Sequence, residues 1–245
     1  MPGTRFDRLD ALRGVAIVWM TVFHFCFDLN HFGWIHQQFL ADPLWTVQRT
    51  CIVSLFLFCA GLSQAVAHDQ GQGWPRFWKR WAQIAGCAVL VTAGSWFMFP
   101  RSYIFFGVLH GIAVLLVIVR LTAGWGWWLW PLGAAAIALP HVVAQLHAAN
   151  PSLDVLNRAP LHVLGLVSRK PVTEDYVPVF PWLGVMWWGM AAGRWLLAHR
   201  RDALTGALAR GASPLAWLGR WSLSWYMVHQ PVLIGAVAGM TALLR

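Results

Sequence analysis

The sequence predicts an all-α fold: a polytopic membrane helix bundle of about seven transmembrane helices with a cytoplasmic N-terminus. Three observations carry this. Of 245 residues, 58% are hydrophobic and only 11% are charged, against about 25% charged in an ordinary soluble domain. Mean hydropathy is +0.56. Runs of roughly 17–25 apolar residues, the length that crosses a bilayer as a helix, recur along the whole chain. A water-soluble globule with so little charge lacks the polar surface to cover itself. Disorder, a coiled coil and a disulfide scaffold fail on the same figures.

The spans fall at about 11–31, 44–67, 81–99, 104–121, 125–147, 179–198 and 215–243. Arg5, Asp7, Arg8 and Asp10 precede the first, and no small-residue cleavage site follows it, so it stays as an anchor. Arg49 sits near the start of the second, and Arg76, Lys79 and Arg80 lead into the third. Arg101 separates the third from the fourth, which ends at Arg120, and Asn150-Pro151 closes the fifth. Arg200 and Arg201 follow the sixth, and Arg210 precedes the seventh. The stretch 148–178, with Pro160, Pro171, Glu174 and Asp175, is a loop longer than a bare connection needs. No soluble domain is left over, so residues 1–245 read as a single transmembrane domain.

Seven spans put Arg5, Arg8, Arg13, Arg76, Lys79, Arg80, Arg120, Arg194, Arg200, Arg201, Arg210 and Arg220 on one side. The other side takes Arg49, Arg101, Arg158, Arg169, Lys170 and Arg245. Twelve against six makes the N-terminal side cytoplasmic. The net charge of +9 is thus a topology signal at span ends, and nucleic acid is not an expected partner. The loop from Asn30 to Pro43 carries no Lys or Arg and faces outward. Trp34, Trp45, Trp74, Trp78, Trp125, Trp127, Trp128, Trp182, Trp187 and Trp188 cluster near span ends, as an aromatic belt does. Cys26, Cys51, Cys59 and Cys87 lie in apolar runs without metal-ligand spacing and read as small buried hydrophobes; no metal site is expected.

The first span concentrates the polar side chains, which are costly inside a membrane and are functional suspects for that reason. At 100° per residue, Arg13, His24, Asp28 and His31 share one narrow stripe of a helix otherwise almost wholly apolar. His24 and Asp28, one turn apart, have the spacing at which a carboxylate reaches an imidazole and raises its basicity. That suits a general base acting on an amine or hydroxyl; the plainer alternative is a pair that only holds the bundle together. Arg13 stands about 16 Å away along the axis, at the cytoplasmic mouth. A cation at the mouth and a base deeper on the same face suit a long ligand with a phosphate head and a reactive tail. Arg76, Lys79 and Arg80 lie on the same side and can join it, or serve only as positive-inside charges.

The segments Arg8-Leu9-Asp10-Ala11-Leu12-Arg13-Gly14 and Phe23-His24-Phe25-Cys26-Phe27-Asp28-Leu29 resemble the catalytic domain of the heparan-α-glucosaminide N-acetyltransferase family, in its bacterial branch. So do Phe106-Gly107-Val108-Leu109-His110, Pro181-Trp182-Leu183-Gly184, and Leu218-Gly219-Arg220-Trp221-Ser222-Leu223 leading to Tyr226-Met227-Val228-His229-Gln230-Pro231. The Arg13–His24 spacing also matches the Arg-x10-His motif of the wider acyltransferase-3 group. The resemblance implies a membrane-embedded enzyme in the bacterial inner membrane. It would move an acetyl group from cytoplasmic acetyl-CoA to an amine or hydroxyl of a sugar-type acceptor at the outer side. Arg13 would hold CoA phosphates and His24 would deprotonate the acceptor. In the animal branch the catalytic histidine lies nearer the positions of His31 and His36, so His36 stands as the alternative imidazole.

His110 and His229, with Tyr226, are expected to line the same cavity, or else to hydrogen-bond between helices. A proton-coupled transporter or lipid flippase with a His–Asp relay is the competing class, though no internal repeat favours it. A haem or quinone protein is a third, and a visible absorption spectrum separates it at once. The sequence leaves a homo-oligomer open.

Overall fold

The computed structural model describes residues 6–244; Arg5 and Arg245, both counted in the charge bias, lie outside the described residues. The helices are α1 Asp7–His31, α2 Pro43–Asp69, α3 Trp74–Met98, α4 Val108–Leu121, α5 Leu129–Ala149, α6 Val179–His199, α7 Asp202–Thr205, α8 Ser213–Arg220 and α9 Ser222–Leu244. Three 3-10 segments, Ala123–Trp128, Pro151–Asn157 and Ala159–Leu164, fill the connections around α5.

Among the described residues, five helical stretches are long and apolar enough to span a membrane: α1, α2, α3, Ala123–His147 and α9. Three of the seven expected spans differ. The run expected from 104 becomes α4, only 14 residues long; at 1.5 Å per residue it covers about 21 Å of a core about 30 Å thick. The run expected at 179–198 forms α6, a 21-residue helix that carries Arg194 and is not among those five. The seventh expected span is also not one helix: α8 ends at Arg220 and α9 begins at Ser222.

The chain forms two compact units, one of Met1–Phe56 with Arg200–Arg245 and one of Leu57–His199. In the first, α1 and α8 meet with their backbones in contact. A Cβ on Gly14 would lie 2.0 Å from the Leu215 carbonyl oxygen, and one on Gly219 would lie 1.8 Å from that of Asp10. Only glycine allows that approach, which is how membrane helices pack without a hydrophobic drive. Deeper along α1, Ile17, Met20 and Phe23 form a core with Phe39 and Ile52, flanked by Trp45, Leu218 and Tyr226. Val15, Val18, Val22 and Phe25 are exposed, Val15 and Val22 roughly opposite Arg13, His24 and Asp28 on α1 and the other two at the edge of that side. The polar stripe therefore turns away from lipid.

In the second unit α6 is the glycine-rich partner. Gly184 packs on the Gly133 carbonyl of α5, Gly189 on the Phe58 carbonyl of α2, and Gly193 on Ala65. Trp187, expected in the aromatic belt, is instead buried, and its indole donates to Thr122 Oγ1 at 2.9 Å. A small polar indole edge finds a better partner there than in a dry interior.

The expected loop at 148–178 ends by capping α4. Asp175 Oδ2 accepts from Val108 N–H at 2.7 Å, and Phe106 pairs with Tyr176 as an isolated parallel bridge. His110 caps from within, Nδ1 accepting from Gly107 N–H at 3.3 Å while Nε2 lies 3.0 Å from Thr92 Oγ1. Thr92 Oγ1 in turn donates to the Ile104 carbonyl at 2.7 Å. The Tyr176 hydroxyl donates to the His162 carbonyl at 2.5 Å, and burial pushes its pKa up to about 12, so it stays a donor at physiological pH. Asp175→Ala is expected to cost about 1–2 kcal/mol through the lost cap and its charge at a helix N-terminus. The melting temperature of the detergent-purified protein checks this against Val172→Ala, at a position 79% exposed.

Candidate active site

On α1, Asp28 is 3% exposed and His24 is half-buried. The helix facing them in the same unit is α9, which brings His229, 7% exposed, and Gln230. The His24 and His229 rings lie edge to face, 5.2 Å between centroids. Gln230 Nε2 donates to Asp28 Oδ1 at 2.9 Å. The contact that the one-turn spacing allows between His24 and Asp28 is not made: His24 Nδ1 and Asp28 Oδ2 are both buried without a hydrogen-bond partner. Asp28 spends its one bond on α9, because the primary amide of Gln230 supplies a donor across the helix interface.

His229 Nδ1 lies 2.7 Å from the Tyr226 carbonyl oxygen, which only accepts, so Nδ1 carries the hydrogen. Nε2 is then the basic nitrogen of a neutral ring, and it too is buried without a partner, as is Gln230 Oε1. Each such atom costs about 1–3 kcal/mol while unsatisfied. Four of them, on two residues one turn apart in α1 and two adjacent residues of α9, mark the place in this unit where a polar ligand gains most. Tyr226, its ring 5.6 Å from that of His229, borders the cluster.

Arg13 stands at the N-terminal end of α1, ion-paired with Asp10 at 2.6 Å and with a side chain 26% exposed. Arg220, at the end of α8, lies 3.8 Å from Asp7. Arg8 donates to the Ala207 and Asp202 carbonyls. The sequence points to Arg13 with Arg76, Lys79 and Arg80; Arg8 and Arg220 stand in it only as motif letters, and the packing of α8 on α1 is what sets them near Asp7 and the Asp202 carbonyl. Three guanidiniums at one end fit the phosphates of a nucleotide-type donor, which must compete with Asp7 and Asp10 for them. Gln230 was likewise missed as a site residue, although an amide inside an apolar run is itself a signal.

His36 is exposed and lines an open hollow of about 380 Å³ with Gln37, Gln38, Ala41 and Asp42. His31, also exposed, lines a second of about 330 Å³ with Phe27 and Asn30. The remaining expected residues belong to the second unit. There Arg76, Lys79 and Arg80 are exposed along the first turns of α3, and His110 has both ring nitrogens engaged as described. No cluster of three or more His, Cys, Asp or Glu able to hold a metal occurs among the described residues.

The family profile described as "Heparan-alpha-glucosaminide N-acetyltransferase, catalytic" matches residues 5–231. The chain belongs to this family. No curated protein and no solved structure matches it. Membership in the heparan-alpha-glucosaminide N-acetyltransferase family makes the chain a membrane acetyltransferase, with acetyl-CoA as the general co-substrate. The match begins two residues before α1 and ends near the middle of α9. It therefore includes Arg13, His24, Asp28, Tyr226, His229 and Gln230, and its two ends are the segments that pack together at Gly14 and Gly219.

Proposed function

We propose that residues 1–245 form one acetyl-CoA-dependent transmembrane acyltransferase domain. It transfers an acetyl group from cytoplasmic acetyl-CoA to an amine or hydroxyl of a sugar-type acceptor presented from the outer side of a bacterial inner membrane. The observation that carries this is the buried, incompletely hydrogen-bonded cluster of His24, Asp28 and His229 inside the family match. His24 takes the proton from the acceptor nitrogen or oxygen as that atom bonds to the thioester carbonyl carbon. The C–S bond then breaks, and CoA leaves as a thiolate that takes up a proton. Asp28 supports the charge on the imidazole through space, and Tyr226 and His229 border the acceptor group. At the cationic end Arg13, with Arg8 and Arg220, holds the donor's phosphates. The charge bias puts that end on the cytoplasmic side.

Thermal stability with and without acetyl-CoA tests this. A ligand at 100 times its Kd stabilises by about 2.7 kcal/mol, and Arg13→Ala is expected to remove most of that shift at the same concentration. Absence of a shift with any acyl-CoA overturns the proposal and moves a proton-coupled transporter to the front.

A further inference from the structure

Gln230 is the one member of the buried cluster that no function has claimed. It is held in a specific way: its amide nitrogen donates to Asp28 Oδ1 at 2.9 Å across the α1–α9 interface. A carboxylate oxygen accepts, so the nitrogen must be the atom turned toward Asp28, and Oε1 turns away as an acceptor. That oxygen is buried and has no partner within the chain. The hydrogen bond also leaves Asp28 with Oδ2, buried and without a partner. His229, next along α9, has its hydrogen committed to the Tyr226 carbonyl, so Nε2 is a third acceptor. The unpartnered atoms Asp28 Oδ2, His229 Nε2 and Gln230 Oε1 are thus all acceptors, and the second amide hydrogen of Gln230 is the donor left beside them. Buried acceptors are satisfied by a group that brings N–H or O–H.

We propose that Gln230 is a positioning residue for the acyl acceptor: it clamps Asp28 from α9 and completes, with Asp28 Oδ2 and His229 Nε2, a wall of three buried acceptors that orients a hydrogen-bond-donating group, a primary amine above all, beside His24. This rests on the acyltransferase function proposed above and adds to it which residue holds the nucleophile in line. The neutral amine gives one of its two hydrogens to His24 on attack, and the other stays directed at the wall. A hydroxyl gives its single hydrogen to His24 and leaves all three acceptors unmet. The wall therefore discriminates in favour of nitrogen, since unpaired buried polar groups are what reject the wrong substrate.

The experiment uses the detergent-purified full chain with glucosamine as probe, read as its melting shift and as acetyl transfer from acetyl-CoA. Gln230→Met keeps the volume and removes both amide functions. It is expected to keep the acetyl-CoA melting shift, lose the glucosamine shift, and raise KM for glucosamine by about ten- to a hundredfold with a smaller change in kcat. Gln230→Glu sets two carboxyl groups at hydrogen-bond distance, so they share one proton. Its activity is expected to return only on the acid side, displacing the pH profile in a way that a packing role does not. A Gln230→Met protein with wild-type KM and glucosamine shift overturns the inference, as does a wild-type pH profile for Gln230→Glu. Should Gln230→Met fail to fold, the Gln230→Glu profile decides alone. A wild-type protein with an acetyl-CoA shift but no glucosamine shift also overturns it while leaving the proposed function standing. A glucosamine shift lost in Gln230→Met but with no acetyl-CoA response overturns the donor assignment and not the wall.

Discussion

His24→Ala is expected to lower acetyl transfer by about 10²- to 10⁴-fold, the contribution of a positioned general base, while the melting shift with acetyl-CoA stays near its wild-type size. The separation follows from geometry. His24 lies eleven residues beyond Arg13 on α1, about 16 Å along the axis, so removing the imidazole leaves the cationic end with its Asp10 and Asp7 partners untouched. Its ring stands edge to face with those of His229 and Phe23, and Nδ1 makes no hydrogen bond within the chain, so the substitution breaks no hydrogen bond at Nδ1. His36→Ala, at an exposed position in an open hollow, is expected to keep turnover within about twofold, as surface substitutions away from a buried site generally do. Turnover lost in His36→Ala and retained in His24→Ala reverses the assignment.

What was legible in the sequence follows physical scale. The helices were, because lipid demands long apolar runs with their backbone bonds satisfied internally, and periodicity alone put Arg13, His24 and Asp28 on one face of α1. The partner of that face was not. Nothing local tells that Asp28 bonds Gln230, 202 residues away, rather than His24 one turn back; only the packing of α9 on α1 decides it. The break at Trp221 and the shortened α4 were hidden for a similar reason. A run reads as one span until a cap intervenes, and the cap on α4 comes from Asp175, 67 residues downstream. Trp187 shows the opposite failure, a belt-like residue drawn inward by the Thr122 hydroxyl at the end of α4.

Gly219→Val is expected to be the most damaging substitution away from the chemistry, costing about 3 kcal/mol or more, at or beyond the usual range for overpacking. A Cβ there would meet not only the Asp10 carbonyl oxygen at 1.8 Å but also Gly14 N at 2.9 Å. Both are backbone atoms that no rotamer change moves aside. Gly14→Val meets the Leu215 carbonyl in the same way from the other helix, and α1 and α8 must separate to admit either. That separation has a functional consequence, since the same contact sets Arg220 beside Asp7 and Arg13 at the same end. The variant should therefore lose its acetyl-CoA response along with its stability. The backbone explanation is tested by Gly235→Ala on α9, where an added Cβ meets nothing within 4 Å. There the melting temperature should hold or rise, with a gain of up to about 1 kcal/mol from helix propensity. Equal losses at Gly219 and Gly235 would show that helix flexibility, and not the close approach of α1 to α8, is what glycine supplies.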